Sequence, residues 1–338
     1  MKKFKLFIPL IATLSLVGCG SGESSPTDVK GSEISENDLA HRGWKVSELV
    51  EIGIEGVSPE IIKTDDGKFL LFTSSLSQKR VFSSTDGFNF NQEDLSVPMG
   101  SDYSIIKKND GTYLFYLVGM DMAQPQNNPQ PNNPGDPNQP NQPMQPSQPA
   151  AQNGGKMGLK KVMVSTSPDL KTFSNPVSTG IEQTESTPAW GVPDTYEDLD
   201  GNVRMMWVSM SKSERYEVLE TAVSKDGINF IPDNEPVIKD GYVDPYMLQV
   251  AENDWVLLLS TTPDQKRLPQ KIYLAWSKDG KNWDIDSEPI LYEEGVNYLD
   301  PAAVKINDKQ WRLIISTTKS EQALTGPYRY LSTVLTAP

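Results

Sequence analysis

The strongest constraint on the fold is a stretch of sequence that recurs along the chain. The stretch from Tyr242 reads YVDPYMLQVAENDWVLLLSTT, and about 55 residues later the stretch from Tyr298 reads YLDPAAVKINDKQWRLIISTT. Related openings begin at Val57, Ser101 and Val192. Each opening reads as a strand, a turn rich in Asp, Asn or Gly, and a second apolar strand. Such recurrence predicts a repeat architecture.

A third strand follows the opening in every repeat, and in every repeat except the last it ends in a second signature. The signatures are SSTDGFNF from Ser83, STSPDLKTF from Ser165, SKDGINF from Ser224 and SKDGKNW from Ser277. The aromatic residue that closes each signature is expected to pack between neighbouring sheets. Strand-only repeats of roughly 45–60 residues are typical of propeller blades, so the sequence predicts an all-β, five-bladed β-propeller over residues 44–338. The last repeat lacks an outer strand, and the strand-like segment 44–53 is predicted to supply it and close the ring.

One segment interrupts this pattern. A run rich in Pro, Gln and Asn occupies residues 123–155, between the second and third strands of the second repeat. The run lacks the apolar residues that offset the entropic cost of ordering, which predicts a disordered surface loop. A wall-binding or partner-binding role is the alternative for this insertion.

The N-terminus predicts where the protein resides. Residues 1–18 have a basic start and an apolar stretch too short to span a bilayer, as in a signal peptide. The motif LVGC ends at Cys19, the only cysteine, and resembles a bacterial lipobox. The resemblance implies lipid attachment at Cys19, and Gly20 after it implies sorting to the outer membrane. Residues 19–43 are polar and predict a flexible tether. An ordinary secretory signal is the alternative.

Composition narrows the classes of function. The formal net charge of −14, without a basic stripe, argues against nucleic acid as a partner. The single histidine and single cysteine exclude zinc-finger and disulfide-framework proteins, and they argue against a histidine-dependent catalytic triad. Catalysis would therefore depend on carboxylates, tyrosines, lysines or a bound metal. The protein is expected to be a monomer.

The Asp-Pro strand heads and the SKDGxxW turns resemble the five-bladed propeller glycosidases of glycoside hydrolase families 43, 32, 62 and 68. This resemblance implies a glycan as the partner and carboxylates that project from different blades into a central funnel. In these families one carboxylate is the base or nucleophile, one is the acid, and a third tunes the pKa of the acid. The two reacting carboxyl groups lie about 5–5.5 Å apart for retention or 6.5–9.5 Å apart for inversion.

Alignment of the five openings identifies the candidate carboxylates. It places Ser58, Asp102, Val192, Asp244 and Asp300 at one equivalent position, which we call the head position. Two further acidic residues lie two positions beyond a head, and the alternation of side chains along a strand predicts that they face the same way. The candidate carboxylates at the rim of the funnel are therefore Glu60, Asp102, Asp194, Asp244 and Asp300.

The catalytic roles known in the family can be assigned to this chain only if they are moved to different blades. The family base belongs at the head of blade 1, where this chain has Ser58, and the EGP-like stretch of the family acid has no counterpart here. The hypothesis that restores the spacing makes Asp300 the base, Asp102 the modulator, and Glu185 or Asp194 the acid. The alternative for an aspartate at a strand head is a cap that binds backbone N–H groups.

Substrate binding is predicted at further residues. Glu60 and Asp244 are expected to contact a saccharide, and the aromatic candidates for stacking on sugar rings, with packing as their alternative role, are Trp190, Tyr103, Tyr246 and Tyr298. No cofactor is predicted, although a calcium ion among the carboxylates is a further hypothesis because Ca²⁺ prefers oxygen ligands. Two functions stay open: glycoside cleavage with paired carboxylates, and a non-catalytic propeller that binds a glycan or a partner protein at the cell surface or in the periplasm.

Overall fold

A computed structural model describes residues 40–74, 80–120, 158–184, 189–210, 215–264 and 266–338. The predicted signal peptide, Cys19, the tether up to residue 39, the 123–155 insertion and Glu185 lie outside these ranges, so the predictions for them stay predictions. The described residues contain two short 3-10 helices, Ala40–Gly43 and Ser320–Gln322. In the part of the chain described, no helix has the length and apolar character needed to cross a membrane.

The strands form five antiparallel sheets, one for each repeat. The first two strands, β1 (Lys45–Val46) and β2 (Val50–Glu55), belong to the last sheet. Blade 1 contains β3 (Val57–Lys63), β4 (Phe69–Ser74), β5 (Val81–Ser84) and β6 (Asn91–Gln92). Blade 2 contains β7 (Ser101–Lys107), β8 (Tyr113–Met120), β9 (Lys160–Ser167) and β10 (Val177–Glu182). Blade 3 contains β11 (Gly191–Glu197), β12 (Val203–Ser209), β13 (Val218–Ser224) and β14 (Ile231–Pro232).

Two sheets complete the ring. Blade 4 contains β15 (Tyr242–Ala251), β16 (Asp254–Thr261), β17 (Ile272–Ser277) and β18 (Asp284–Ile285). Blade 5 contains β19 (Val296–Asn307), β20 (Gln310–Lys319) and β21 (Arg329–Thr336), with β1 and β2 both paired to β21. The first strands of the blades, β3, β7, β11, β15 and β19, contact one another in a closed circle. The predicted five-bladed β-propeller is confirmed.

The N-terminal segment closes the ring as predicted. Strands β1 and β2 supply the outer strand that the fifth repeat lacks. Trp44, directly before β1, is buried against Trp311 of β20, with ring centroids 5.3 Å apart. The hydroxyl of Tyr330 in β21 donates a hydrogen bond of 2.8 Å to the carbonyl of Val57 in β3. Blade 5 is therefore joined to the N-terminal strands and to blade 1.

The hairpins form where the Asp-Gly pairs predict them. Gly67, Gly111 and Gly201 have φ of 84°, 87° and 75° in the turns that follow the first strands of blades 1 to 3. A residue without a Cβ adopts this left-handed conformation at little cost, which favours a tight turn.

The insertion leaves blade 2 after β8 and returns before β9, as the sequence predicts. Its attachment points therefore lie on the face of the propeller opposite to the hairpin turns.

A repeated β-bulge distinguishes the head position in every blade. The pairing register shifts across it in all five first strands. The head residues all have positive φ, at 44° for Ser58, 51° for Asp102, 47° for Val192, 53° for Asp244 and 48° for Asp300. This conformation is unfavourable for residues other than glycine, most of all for a β-branched valine. A bulge reorients its side chain, and here it turns the head residues toward the centre of the ring.

Candidate functional site

The head residues meet loops from the same face in one cavity. Each first strand runs from its head to a hairpin turn on the opposite face, so the loops between second and third strands return to the head face. A cavity of about 560 Å³, which we call the funnel, opens there between the head residues and these loops. Its lining includes Asp102, Lys160, Trp190, Val192, Arg215, Tyr216, Glu217, Asp244, Asp264, Gln270, Asp300 and Tyr328.

A smaller chamber lies at the centre of the ring. It has a volume of about 20 Å³, which is room for about one water molecule and not for a sugar ring. Asp102, Val192, Asp244 and Asp300 line both spaces. These four head residues therefore form the floor of the funnel and the roof of the chamber.

Asp244 and Asp300 combine the two roles that the sequence left open. The backbone N–H of Ser58 donates a hydrogen bond of 2.9 Å to Oδ2 of Asp300, from blade 1 to blade 5. The backbone N–H of Asp300 donates one of 3.3 Å to Oδ2 of Asp244, from blade 5 to blade 4. Each carboxyl group thus binds a backbone group of the next blade and also lines the funnel. Asp102 lies two blades away from each, and its Oδ2 accepts a hydrogen bond of 3.1 Å from the hydroxyl of Ser101.

The electrostatics of the floor favour retention of a proton. Burial raises the pKa of Asp300 to about 6, and the nearby charge of Asp102 also raises it. Burial also raises the pKa of Asp244 well above its usual range, with the charge of Asp300 as the second cause. A shifted pKa that arises from burial and a specific charge partner, in a concave site, is typical of functional residues.

A second ring of hydrogen bonds lies beneath the floor. In each of these hydrogen bonds, the acceptor is the side chain two positions after the head residue of one blade. The donor is the backbone N–H three positions after the head residue of the next blade. The pairs are Glu60 with Ile105 (3.0 Å), Ser104 with Thr195 (3.0 Å) and Asp194 with Met247 (2.6 Å). These side chains join neighbouring blades.

The acidic members of this second ring are separated from the funnel. Glu60 and Asp194 line the small chamber and are not part of the funnel lining. Burial raises the pKa of Asp194 to about 8. Burial, followed by the charge of Asp194, raises the pKa of Glu60 well above its usual range, and hydrogen bonds with the Ile105 N–H and with Tyr246 oppose this shift. A saccharide in the funnel would therefore meet the head aspartates before it met either residue.

The four aromatic residues predicted as sugar platforms contribute mainly to packing. Trp190, Tyr103 and Tyr298 are buried, and each belongs to a hydrophobic cluster between blades. Tyr246 and Tyr103 line the chamber, and Trp190 lines the funnel. The half-buried Tyr328, which the sequence analysis did not single out, also lines the funnel.

Sequence reasoning also missed the polar groups of the funnel wall. Lys160 is the first residue of the third strand β9, and Arg215 and Glu217 lie just before the third strand β13. Gln270 lies between the second and third strands of blade 4. The ammonium group of Lys160 donates a hydrogen bond of 2.9 Å to the carbonyl of Trp190. The direction of the strands could have located these residues, because every loop between a second and a third strand must return to the face of the ring where the head residues lie.

The described residues offer no evident metal centre. Within these ranges, no group of three or more His, Cys, Asp or Glu side chains is placed to hold a metal ion. The calcium hypothesis therefore has no ligand set in this part of the chain.

Comparison with known proteins bears on the fold. No protein-family model matches the chain, and no curated protein matches its sequence. Among solved structures, a thermostable family-43 glycoside hydrolase has a TM-score of 0.58 and 13% identity, over 83% of this chain and 89% of that chain. An endo-1,4-beta-xylanase from Bacteroides thetaiotaomicron has a TM-score of 0.53 and 13% identity, over 86% of this chain and 97% of that chain.

A GH43 endo-arabinanase from Bacillus licheniformis gives a similar result. Its TM-score is 0.51 at 13% identity, over 86% of this chain and 96% of that chain. At such low identity these likenesses show the fold alone. The predicted resemblance to the propeller of family-43 glycoside hydrolases is confirmed at the level of architecture.

Proposed function

We propose that this propeller binds a glycan in the funnel, with Asp102, Asp244 and Asp300 as the polar floor of the site. The observation that carries the proposal is that three carboxyl groups from three blades converge at the base of a cavity of about 560 Å³. A concave site with a few convergent polar groups is typical of ligand binding. Several solved structures that share the fold are named as glycoside hydrolases, which supports a saccharide as the ligand.

Hydrolysis of a glycosidic bond is a second candidate function, and one observation favours it. Asp300 has a pKa raised to about 6, so its carboxyl group holds a proton closer to neutral pH than an ordinary aspartate does. A proton donor of this kind, with a second carboxyl group across the funnel, is the arrangement that glycoside cleavage requires. In this proposal Asp300 is the acid and Asp102 is the base, whereas the family spacing made Asp300 the base.

A glycan array with a parallel readout of hydrolysis tests both functions. We expect Asp102→Asn and Asp300→Asn each to reduce saccharide binding about tenfold or more, because each removes a charged acceptor from the floor. Asn keeps an oxygen that accepts the Ser58 N–H, so the fold should survive. Asp308→Asn is the matched control, since the side chain of Asp308 is 99% exposed. Unchanged binding in both floor variants, with melting temperatures like wild type, would place the ligand outside the funnel.

We further propose that the chain is anchored to the outer membrane by a lipid on Cys19. The LVGC motif and the absence of any other cysteine support this proposal. Each buried methylene of an acyl chain contributes about 0.8 kcal/mol, so several chains hold a protein firmly. We expect Cys19→Ser to abolish partition with membranes, and Gly20→Asp to keep the anchor while it alters the sorting between membranes. Fractionation of cells decides this, and a Cys19→Ser protein that still sediments with the outer membrane would contradict it.

A further inference from the structure

Among the described residues, the wall of the funnel has more acidic than basic groups. The acidic residues in its lining are Asp102, Glu217, Asp244, Asp264 and Asp300, and the basic ones are Lys160 and Arg215. The ammonium group of Lys160 is already bonded to the carbonyl of Trp190. Even with the raised pKa values of Asp244 and Asp300, the acidic side chains outnumber the basic ones, and a cleft with an excess of one sign of charge attracts ligands of the opposite sign.

A buried amide provides a second and independent indication of the ligand. Gln270 lines the funnel and is 2% exposed. Its Nε2 donates a hydrogen bond of 2.8 Å to the carbonyl of Thr261, which fixes the orientation of the amide. Its Oε1 has no hydrogen-bond donor among the described residues. A buried acceptor without a donor costs about 1–3 kcal/mol, so this position favours a ligand that donates a hydrogen bond.

We propose that the saccharide bound in the funnel carries a free amino group, as in a glucosamine unit. This inference rests on the proposed function and names the class of its ligand. An ammonium group offers three donors and a positive charge, which suit the unpartnered Oε1 of Gln270 and the surrounding carboxylates. A neutral sugar hydroxyl also donates hydrogen bonds but gains nothing from the charge of the wall. A uronic acid or a sulfated sugar is repelled by it.

Calorimetric titration of the wild-type protein with matched tetrasaccharides tests this inference. The ligands are the β-1,4 tetramers of glucosamine, N-acetylglucosamine and glucose, at low ionic strength. We expect the glucosamine tetramer to bind about tenfold more tightly than the other two. Its advantage should decrease as salt is added, because salt screens charges that are partly exposed to solvent. Equal binding of all three tetramers would overturn the inference and leave the proposed function intact, whereas no binding of any saccharide would contradict the proposed function itself.

Two variants test separately the contribution of the Gln270 amide and that of the negative charge of the funnel wall. Gln270→Met removes the acceptor at similar volume and should weaken glucosamine binding several-fold, with a smaller effect on the neutral tetramers. Gln249→Met is its matched control, because Gln249 is exposed on β15 and is not part of the funnel lining. Glu217→Gln removes one negative charge from a half-buried position and should lower only the affinity for glucosamine. If both funnel variants leave the preference for glucosamine unchanged while they melt like wild type, the funnel does not recognise the amino group.

Discussion

Replacement of Asp194 by Asn should stabilise the propeller by an amount that increases with pH. Asp194 is 6% exposed, and its Oδ2 accepts a hydrogen bond of 2.6 Å from the backbone N–H of Met247. Burial raises the pKa of Asp194 to about 8, whereas in the unfolded chain an aspartate has a pKa of about 3.9. Between these values the folded protein binds a proton that the unfolded chain releases, so stability is fully present below about pH 4 and falls as the pH rises toward 8.

The expected magnitude follows from this difference. A change of one pH unit within the window between the two pKa values costs about 1.4 kcal/mol of unfolding free energy. Between pH 4.5 and 7.5 the wild-type protein therefore loses about 4 kcal/mol through Asp194. An asparagine stays neutral and keeps an oxygen for the Met247 N–H. The variant should therefore lose this part of the pH dependence and keep the contact between blades 3 and 4.

Urea denaturation at several pH values between 4.5 and 7.5 measures the effect. The free energy of unfolding of Asp194→Asn, relative to wild type, should rise by about 1.4 kcal/mol per pH unit. Asp308→Asn serves as the control on an exposed side chain and should stay within about 0.5 kcal/mol of wild type throughout. A difference between Asp194→Asn and wild type that is constant across this range would refute the reasoning, because it would show that Asp194 is ionised in the folded protein.

Three other predictions concern the stability of the ring and the effect of its insertion. Trp44→Ala should cost about 3–5 kcal/mol of unfolding free energy, because it removes the buried contact with Trp311, and an unchanged urea midpoint would contradict this role. A short Gly-Ser turn in place of residues 123–155 should leave the melting temperature unchanged or slightly higher, since loop-closure entropy grows slowly with length; a large loss would show that the insertion packs on the propeller. The guanidinium of Arg312 lies 3.8 Å from the ring centroid of Phe88, where blade 5 meets blade 1. Arg312→Lys should therefore lower the free energy of unfolding, measured by urea denaturation, by about 1–2 kcal/mol. A variant as stable as wild type would show that this contact does not stabilise the ring.

The floor of the funnel was predictable only in part. Alignment of the repeats identified the head position correctly, and Asp102, Asp244 and Asp300 all line the funnel. The alternation rule then grouped Glu60 and Asp194 with them, but both line the small chamber below. The bulge at each head explains the difference, because one extra residue interrupts the period of two on which that rule depends.

The sequence by itself determined the blades, their number and the closure of the ring by the N-terminal strands. These features depend on local patterns, namely apolar alternation, Asp-Gly turns and a last repeat that is one strand short. Only the tertiary structure decided that Asp300 binds the backbone of Ser58 in the neighbouring blade, that Trp190 is buried, and that Gln270 has an unpartnered oxygen. These features depend on which residues of separate blades meet. Residues such as Ser58 and Asp300 are 242 positions apart in sequence, and they become neighbours only when five sheets close into a circle.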